Sequence, residues 1–292
     1  MKRYFHLALM IFAALNSFAQ DKDLLSVNYG LSGFQYHDTA AIAQQTALKC
    51  ALPVYRKNKH SIVGVMNYKN TAFYNFPESY RQTLHGFTLQ AISIYKMSGN
   101  KSIALFAQTG LFSDLQEISI KDFRYTAGFR YRYKHSGRLS TGWGLAYSRQ
   151  FFGNQLVPFI DVDYKPGRKW SITGQFPIKP KILYHLNKKL SVGIEINGDA
   201  ASYRLSASDK NNRFIQINQW TGLAKMEYQF SGGWQLTLGV GRNFSQSFKL
   251  YDNASASSWT IITIPIGEKP VPVERIDNKG FRAVLGISLQ AF

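Results

Sequence analysis

The chain has a single cysteine, Cys50, so no internal disulfide can brace it. In Ala47-Leu48-Lys49-Cys50-Ala51-Leu52 that cysteine stands at strand spacing and reads as a small apolar residue rather than a nucleophile. Acidic side chains are also scarce, with 17 Asp and Glu against 35 Lys and Arg and a net charge of +18. After Gln20 no apolar run approaches the roughly 18 residues that mark a spanning helix, and helical periodicity is not sustained anywhere. These absences exclude a disulfide-braced module, a helical membrane protein and a helical bundle. Aromatics, by contrast, are abundant: 21 Phe and 17 Tyr in a chain only 18% charged. That balance suits aromatic girdles at a lipid interface around a polar interior.

The front of the chain says where it travels. Lys2 and Arg3 precede an apolar run from Tyr4 to Leu15, interrupted by His6, and Ser17-Phe18-Ala19 offers small residues at a cleavage site. About 12 apolar residues fall short of the roughly 20 that span a bilayer. Residues 1–19 therefore read as a secretory signal peptide cut before Gln20, and residues 20–292 as one domain without linker or composition break. No cysteine near the cut supports a lipoprotein. An exported chain has no access to nucleic acid, and its Lys and Arg are scattered. The basic surplus is expected on turns, rims and lumen, near lipopolysaccharide phosphates and anionic headgroups.

What is present is a two-residue period. In Phe281–Ala291 one face reads Phe281, Ala283, Leu285, Ile287, Leu289 and Ala291, and the other Arg282, Val284, Gly286, Ser288 and Gln290. Leu190, Val192, Ile194 and Ile196 oppose Ser191, Gly193, Glu195 and Asn197. Trp220 to Phe230 alternates with Thr221, Leu223, Lys225, Glu227 and Gln229. Phe129, Tyr131 and Tyr133 oppose Arg130, Arg132 and Lys134. One oily and one polar face on successive strands is the pattern of a barrel wall set in lipid.

Tight turns at Ser98-Gly99-Asn100, His135-Ser136-Gly137, Lys165-Pro166-Gly167, Asn187-Lys188 and Ser231–Gly233 alternate with longer connections. The longer ones are Asn70–Arg81, Ser113–Lys121, Ser206–Asn212 and Tyr251–Lys279. With short turns placed in the periplasm and long loops outside, the two halves agree if Phe176-Pro177 splits two strands and Leu25–Gln35 is the first strand. The fold expected is all-β, a transmembrane antiparallel up-and-down barrel of fourteen strands. Twelve is the alternative if Gly174–Lys181 is a distortion and Leu25–Gln35 lies outside the wall. About five residues before the first strand leave no sizeable plug.

A signal ending in Phe-Ala-Gln, aromatic-rich alternating strands and a terminal Phe292 together resemble outer-membrane β-barrels of Gram-negative bacteria. Gly286, Leu289 and Ala291 fall near the glycine and apolar positions of the signal read by the barrel-assembly machinery, with Val284 where a polar residue is usual. More narrowly, the chain is similar to an uncharacterised barrel family, a domain of unknown function. Trp170–Pro177 followed by Leu183-Tyr184-His185-Leu186 distantly resembles barrels for uptake of apolar compounds. The resemblance implies an architecture and brings no catalytic residues.

Candidate chemistry is sparse. His60 and His135 fall in turns, and His85 or His185 could join one of many serines in a lipid-hydrolase pair, but nothing marks an activated nucleophile. Asp161 and Asp163 share a face and are expected to meet Arg130 and Arg132 rather than a cation, because a calcium loop needs further ligands. Candidate lumen-lining residues are Arg130, Arg132, Asp161, Asp163, Glu195, Glu227 and Arg282. No cofactor or metal site and no enzyme activity are expected. The expected role is a passive pore for a small solute, with a basic-biased lumen, in a monomeric outer-membrane barrel. The rival role is a structural barrel that holds a surface or secretion partner through Asn70–Arg81 and Tyr251–Lys279.

Overall fold

The structure is a computed structural model and describes residues 23–36, 39–206, 213–252, 258–267 and 270–290. The signal segment 1–19, Gln20, Phe292 and the tip of the Ser206–Asn212 connection lie outside the described residues. The strands are β1 (Asp23–Tyr36), β2 (Thr39–Lys57), β3 (His60–Tyr74), β4 (Leu84–Lys96), β5 (Lys101–Ser113), β6 (Phe123–Lys134), β7 (Leu139–Gln150) and β8 (Gly153–Tyr164). Then follow β9 (Trp170–Phe176), β10 (Lys179–His185), β11 (Leu190–Arg204), β12 (Phe214–Gln229) and β13 (Trp234–Tyr251). After the short β14 (Trp259–Ile261), β15 (Ile264–Ile266) and β16 (Glu274–Asn278) comes β17 (Phe281–Gln290).

Strands β1 to β13 and β17 form a closed antiparallel barrel of 14 strands. Closure runs from Asp23↔Gln290 to Gly33↔Phe281, so β1 belongs to the wall. β9 and β10 are separate strands joined at Phe176-Pro177, with Lys179 opposite Gln175. Both conditions for fourteen strands are met, and the twelve-strand alternative is excluded. The reason is local: Pro177 cannot continue a ladder, so the chain turns there instead of bulging.

The period-2 pattern sorts onto two faces. Leu25, Val27, Leu105, Trp143, Ile160, Ile194, Phe281 and Leu285 are exposed on the outside, while Ser26, Ser32, Gln45, Asp161, Glu195, Glu227 and Ser288 are buried on the inside. A barrel that exposes its large apolar side chains and buries its polar ones is stable only when lipid replaces water outside.

The hydrophilic interior expected from sequence stops short of the long-loop end. There the inner face turns apolar, and Ala41, Ala43, Phe73, Phe112, Tyr203, Ile217, Phe248 and Leu250 join Phe76 and Tyr80 in one buried cluster. Phe76 meets Phe73 at 4.8 Å and Phe248 at 5.3 Å between ring centroids. The cluster forms where the wall pinches. β10 stops pairing with β11 at Lys181↔Glu195, with a last bond from Gly198 N–H to the Ile178 carbonyl. β11 then leaves the wall, crosses the interior and meets β5 in a parallel bridge at Arg204↔Ser113. β12 follows it, as does β13 after a bulge at Phe244. Consecutive residues from Ala201 to Arg204 and from Phe214 to Ile217 are buried, as expected when both faces of a sheet are covered.

Both ends of the crossing are tied down. Arg204 Nη1 donates to Asp122 Oδ1 at 2.8 Å, with both side chains almost fully buried. Ser202 Oγ accepts from Phe151 N–H at 3.1 Å, and Ser206 N–H donates to Asp114 Oδ2 at 3.1 Å. The Arg124 guanidinium lies 3.2 Å from the Phe112 ring centroid and donates to Ser202 Oγ. The Tyr251–Lys279 connection becomes two wall extensions. β16 pairs with the top of β13, and the β14–β15 hairpin lies parallel along β8 at Asn154–Leu156.

Candidate functional site

Beneath the apolar cluster lies a polar layer. Asn243 Nδ2 donates to Ser32 Oγ at 3.1 Å and to Gln246 Oε1 at 3.0 Å, while its Oδ1 accepts from Gln219 and Thr221. Arg282, on the inner face of β17, donates to Ser32 Oγ at 2.9 Å and Gln45 Oε1 at 2.7 Å. Its guanidinium lies over Gly30, where any side chain would occupy the same space. Lys69 on β3 pairs with Asp199 on β11, joining the fixed wall to the crossing strand. The Asp199 side chain keeps 43% of its surface accessible, so this pair borders open interior space.

Two ion-pair ladders line the interior nearer the short turns. Arg132 Nε lies 3.4 Å from Asp161 Oδ2, Arg132 Nη2 lies 3.3 Å from Asp163 Oδ2, and Arg130 Nη1 is 3.7 Å from Asp161. These pairs follow from register, since Arg132 and Asp161 both oppose Gly142, which has no side chain to separate them. Beyond β9, on β10 to β12, Lys225 is 2.9 Å from Glu195 and 3.6 Å from Glu227, and Lys181 reaches Glu227 at 3.0 Å. Thus Arg130 and Arg132 are brought together with Asp161 and Asp163. Glu195 and Glu227 share Lys225, and Arg282 stands apart in the polar layer.

Sequence reading passed over Lys69, Arg124, Lys181, Lys225 and Asp199. The signal for Lys225 and Lys181 was in the alternation itself. Asp199 and Arg124 gain their roles only because β11 leaves the wall, which no local pattern announces. The inner face includes Lys49, Lys69, Arg124, Arg130, Arg132, Lys181, Lys225 and Arg282 against Asp161, Asp163, Glu195, Asp199 and Glu227. Cations are in excess.

Each described histidine is matched to a hydroxyl. His60 pairs with Ser93 at 2.8 Å, His85 with Tyr68 at 2.8 Å, His135 with Thr141 at 2.7 Å and His185 with Ser191 at 2.7 Å. His185 and Ser191 are directly opposed across the β10–β11 hairpin, and among the described residues the ring's hydrogen bond is to that serine, where a triad adds a carboxylate on the other ring nitrogen. Among the described residues no three His, Cys, Asp or Glu side chains gather where they could hold a metal ion.

Comparison with curated protein sequences gives no match. Among solved structures, the KdgM porin is 13% identical, with 91% of this chain and 98% of that chain covered at a TM-score of 0.37. The NanC porin is 9% identical, covering 91% and 99% at 0.40, and the β domain of the Bordetella autotransporter BrkA is 9% identical, covering 92% and 100% at 0.28. The strand pairing described above, rather than these likenesses, establishes the barrel. Residues 43–259 match the family model described as a domain of unknown function, DUF6268, and the chain belongs to that family.

Proposed function

We propose that this protein is an outer-membrane channel for a small solute, with an interior biased toward anions. In this reading residues 1–19 are removed on export, the short turns face the periplasm and the long loops face outside. The observation that supports it best is the cation excess on an inner face whose middle is polar. A low-dielectric wall concentrates the field of such charges, so anions partition inward and cations are repelled. Arg130, Arg132, Asp161, Asp163, Glu195, Glu227 and Arg282 line the path in this proposal, and the paired carboxylates tune rather than cancel the bias. The apolar cluster fills the long-loop mouth, so conduction along the barrel axis requires the β11–β13 crossing to shift.

Planar-bilayer recording tests the reading. Discrete conductance steps with a reversal potential on the anion side of a KCl gradient are expected. Absence of steps from folded protein, or cation preference, refutes it. A rival reading, a barrel that holds a surface partner, is favoured by the exposed Ile118, Ile120 and Val271 at the long-loop end. Recovery of one defined protein from intact membranes, lost when Leu115–Ile120 is replaced by Gly and Ser, would support that reading.

A further inference from the structure

The wall contains a gap. β9 reaches up β8 only as far as Ile160↔Phe176, and on the far side of the β9–β10 hairpin β11 turns inward after Gly198. Above that hairpin, therefore, β8 and β11 are no longer bridged by wall strands. The β14–β15 hairpin covers part of the exposed β8 edge, pairing with Asn154–Leu156 and ending with the bond from Ile262 N–H to the Leu156 carbonyl. Val157, Pro158 and Phe159 remain between the two partners. At about 3.3 Å per residue, roughly 10 Å of the β8 edge carries no strand pairing on that side, and the turns after Phe176 and Ile261 face each other across it.

The residue types at this edge fit an opening in hydrocarbon. Leu156 turns its carbonyl toward the β14 side, and Ile160 pairs with β9, so the alternation places the backbone N–H of residue 158 in the same direction. Residue 158 is proline and has no N–H, which removes the donor that lipid could not satisfy. The rim is apolar: Ile160, Ile261 and Ile264 are all exposed. On the inner face of the sill stand Lys179 and Lys181, the latter paired to Glu227. With the long-loop mouth filled by packed aromatics, this unpaired edge is a break in the wall above the β9–β10 hairpin.

We propose that the gap between β8 and β11 is a lateral portal through which the acyl chain of an anionic amphiphile passes between the outer leaflet and the barrel interior. Its apolar rim accepts the chain, and the cations of the sill and inner wall receive the head. The β14–β15 hairpin forms its upper lid. The inference rests on the outer-membrane placement proposed above but not on ion conduction, which is measured separately.

The test places a bimane fluorophore inside the barrel, at Asn197→Cys in a Cys50→Ser background, in nanodiscs. Ala47→Cys on the inner face of β2 reports the opposite wall, and Ile194→Cys reports the lipid face. Two quenchers distinguish the source of the chain: 9,10-dibromostearate added to ordinary nanodiscs, and nanodiscs containing dibrominated phosphatidylglycerol. The expected result is loss of more than half the Asn197→Cys emission with at least one quencher, strong quenching of Ile194→Cys and little at Ala47→Cys. Filling the gap with Ala200→Trp should restore most of the Asn197→Cys emission, with heat-modified gel mobility confirming a folded barrel. Emission at Asn197→Cys that stays as unquenched as at Ala47→Cys with both quenchers overturns the portal, whatever the bilayer recordings show. Quenching there without conductance steps keeps the portal and removes the axial channel.

Discussion

The Arg204–Asp122 pair is the sharpest test of the wall pinch. Asp122 accepts from Arg204 Nη1 through Oδ1 and from the Ser119 backbone N–H through Oδ2 at 2.6 Å, and both charged side chains are almost wholly removed from water. Asp122→Ala removes a charge-assisted hydrogen bond, which contributes about 1.5–3 kcal/mol, and a capping interaction, which contributes about 0.5–2 kcal/mol. It also leaves a buried guanidinium without its carboxylate, a situation that costs about 3–5 kcal/mol in comparable pairs. Arg204 keeps Ser119 Oγ at 3.0 Å as a partner, so the lower end, about 3 kcal/mol, is expected. The assay is urea unfolding of the micelle-refolded barrel followed by tryptophan fluorescence, with a fall in midpoint of about 1 M or more for a slope near 3 kcal/mol/M. Arg204→Met combined with Asp122→Ala should recover part of the loss, because both members of the buried charge pair are then gone. A single-variant loss below about 1 kcal/mol would mean that the crossing strand is not held by this pair, since that is the range of exposed pairs.

Four further outcomes follow from the same geometry. Gly193→Ala places a Cβ against the Ile182 carbonyl oxygen on β10, a rigid backbone atom, and should cost about 1–3 kcal/mol in the same unfolding assay. Ile194→Lys puts a charge on the lipid face of β11 and should lower stability in phosphatidylcholine vesicles by about 2–4 kcal/mol. Gln90→Lys, on the inner face of β4, should change stability by less than about 1 kcal/mol, and equal losses at both sites would contradict the assignment of faces. Replacing Lys225 and Arg132 together by Gln should move the bilayer reversal potential toward zero, with no movement counting against the anion bias.

The last outcome concerns Tyr80, in the loop after β3. Burial pushes its phenol up from the ordinary tyrosine range, and its hydroxyl donates to the Glu274 carbonyl at 3.1 Å. A raised folded value means that stability from the neutral phenol is complete below the unfolded value and is lost as pH rises past it. Stability should therefore decline above about pH 10, and Tyr80→Phe should remove that component of the decline.

Fourteen wall strands and the outward direction of residues such as Ile194 and Leu285 were legible because the side-chain period of a strand is two and does not depend on what lies across the barrel. The pairing of Arg130 and Arg132 with Asp161 and Asp163 was readable for a related reason. β6, β7 and β8 are consecutive, so turn lengths fix which positions lie at one height. The apolar cluster was not legible, although its members stood in plain view. Phe73, Phe112, Tyr203 and Phe248 occupy positions that alternation assigns to a polar interior, and locally they are indistinguishable from girdle aromatics.

The sequence by itself determined a wall that must meet lipid on one face, the number of its strands and the ion pairs between near neighbours. All of these depend on interactions a few residues or one or two hairpins apart. Only the tertiary structure decided that β11 leaves β10 and crosses to β5. That choice sets Asp199 against Lys69, seals the long-loop end and opens the edge at Pro158. Its driving force is burial of the inner-face aromatics against one another, a sum over side chains far apart in the chain that no local period encodes.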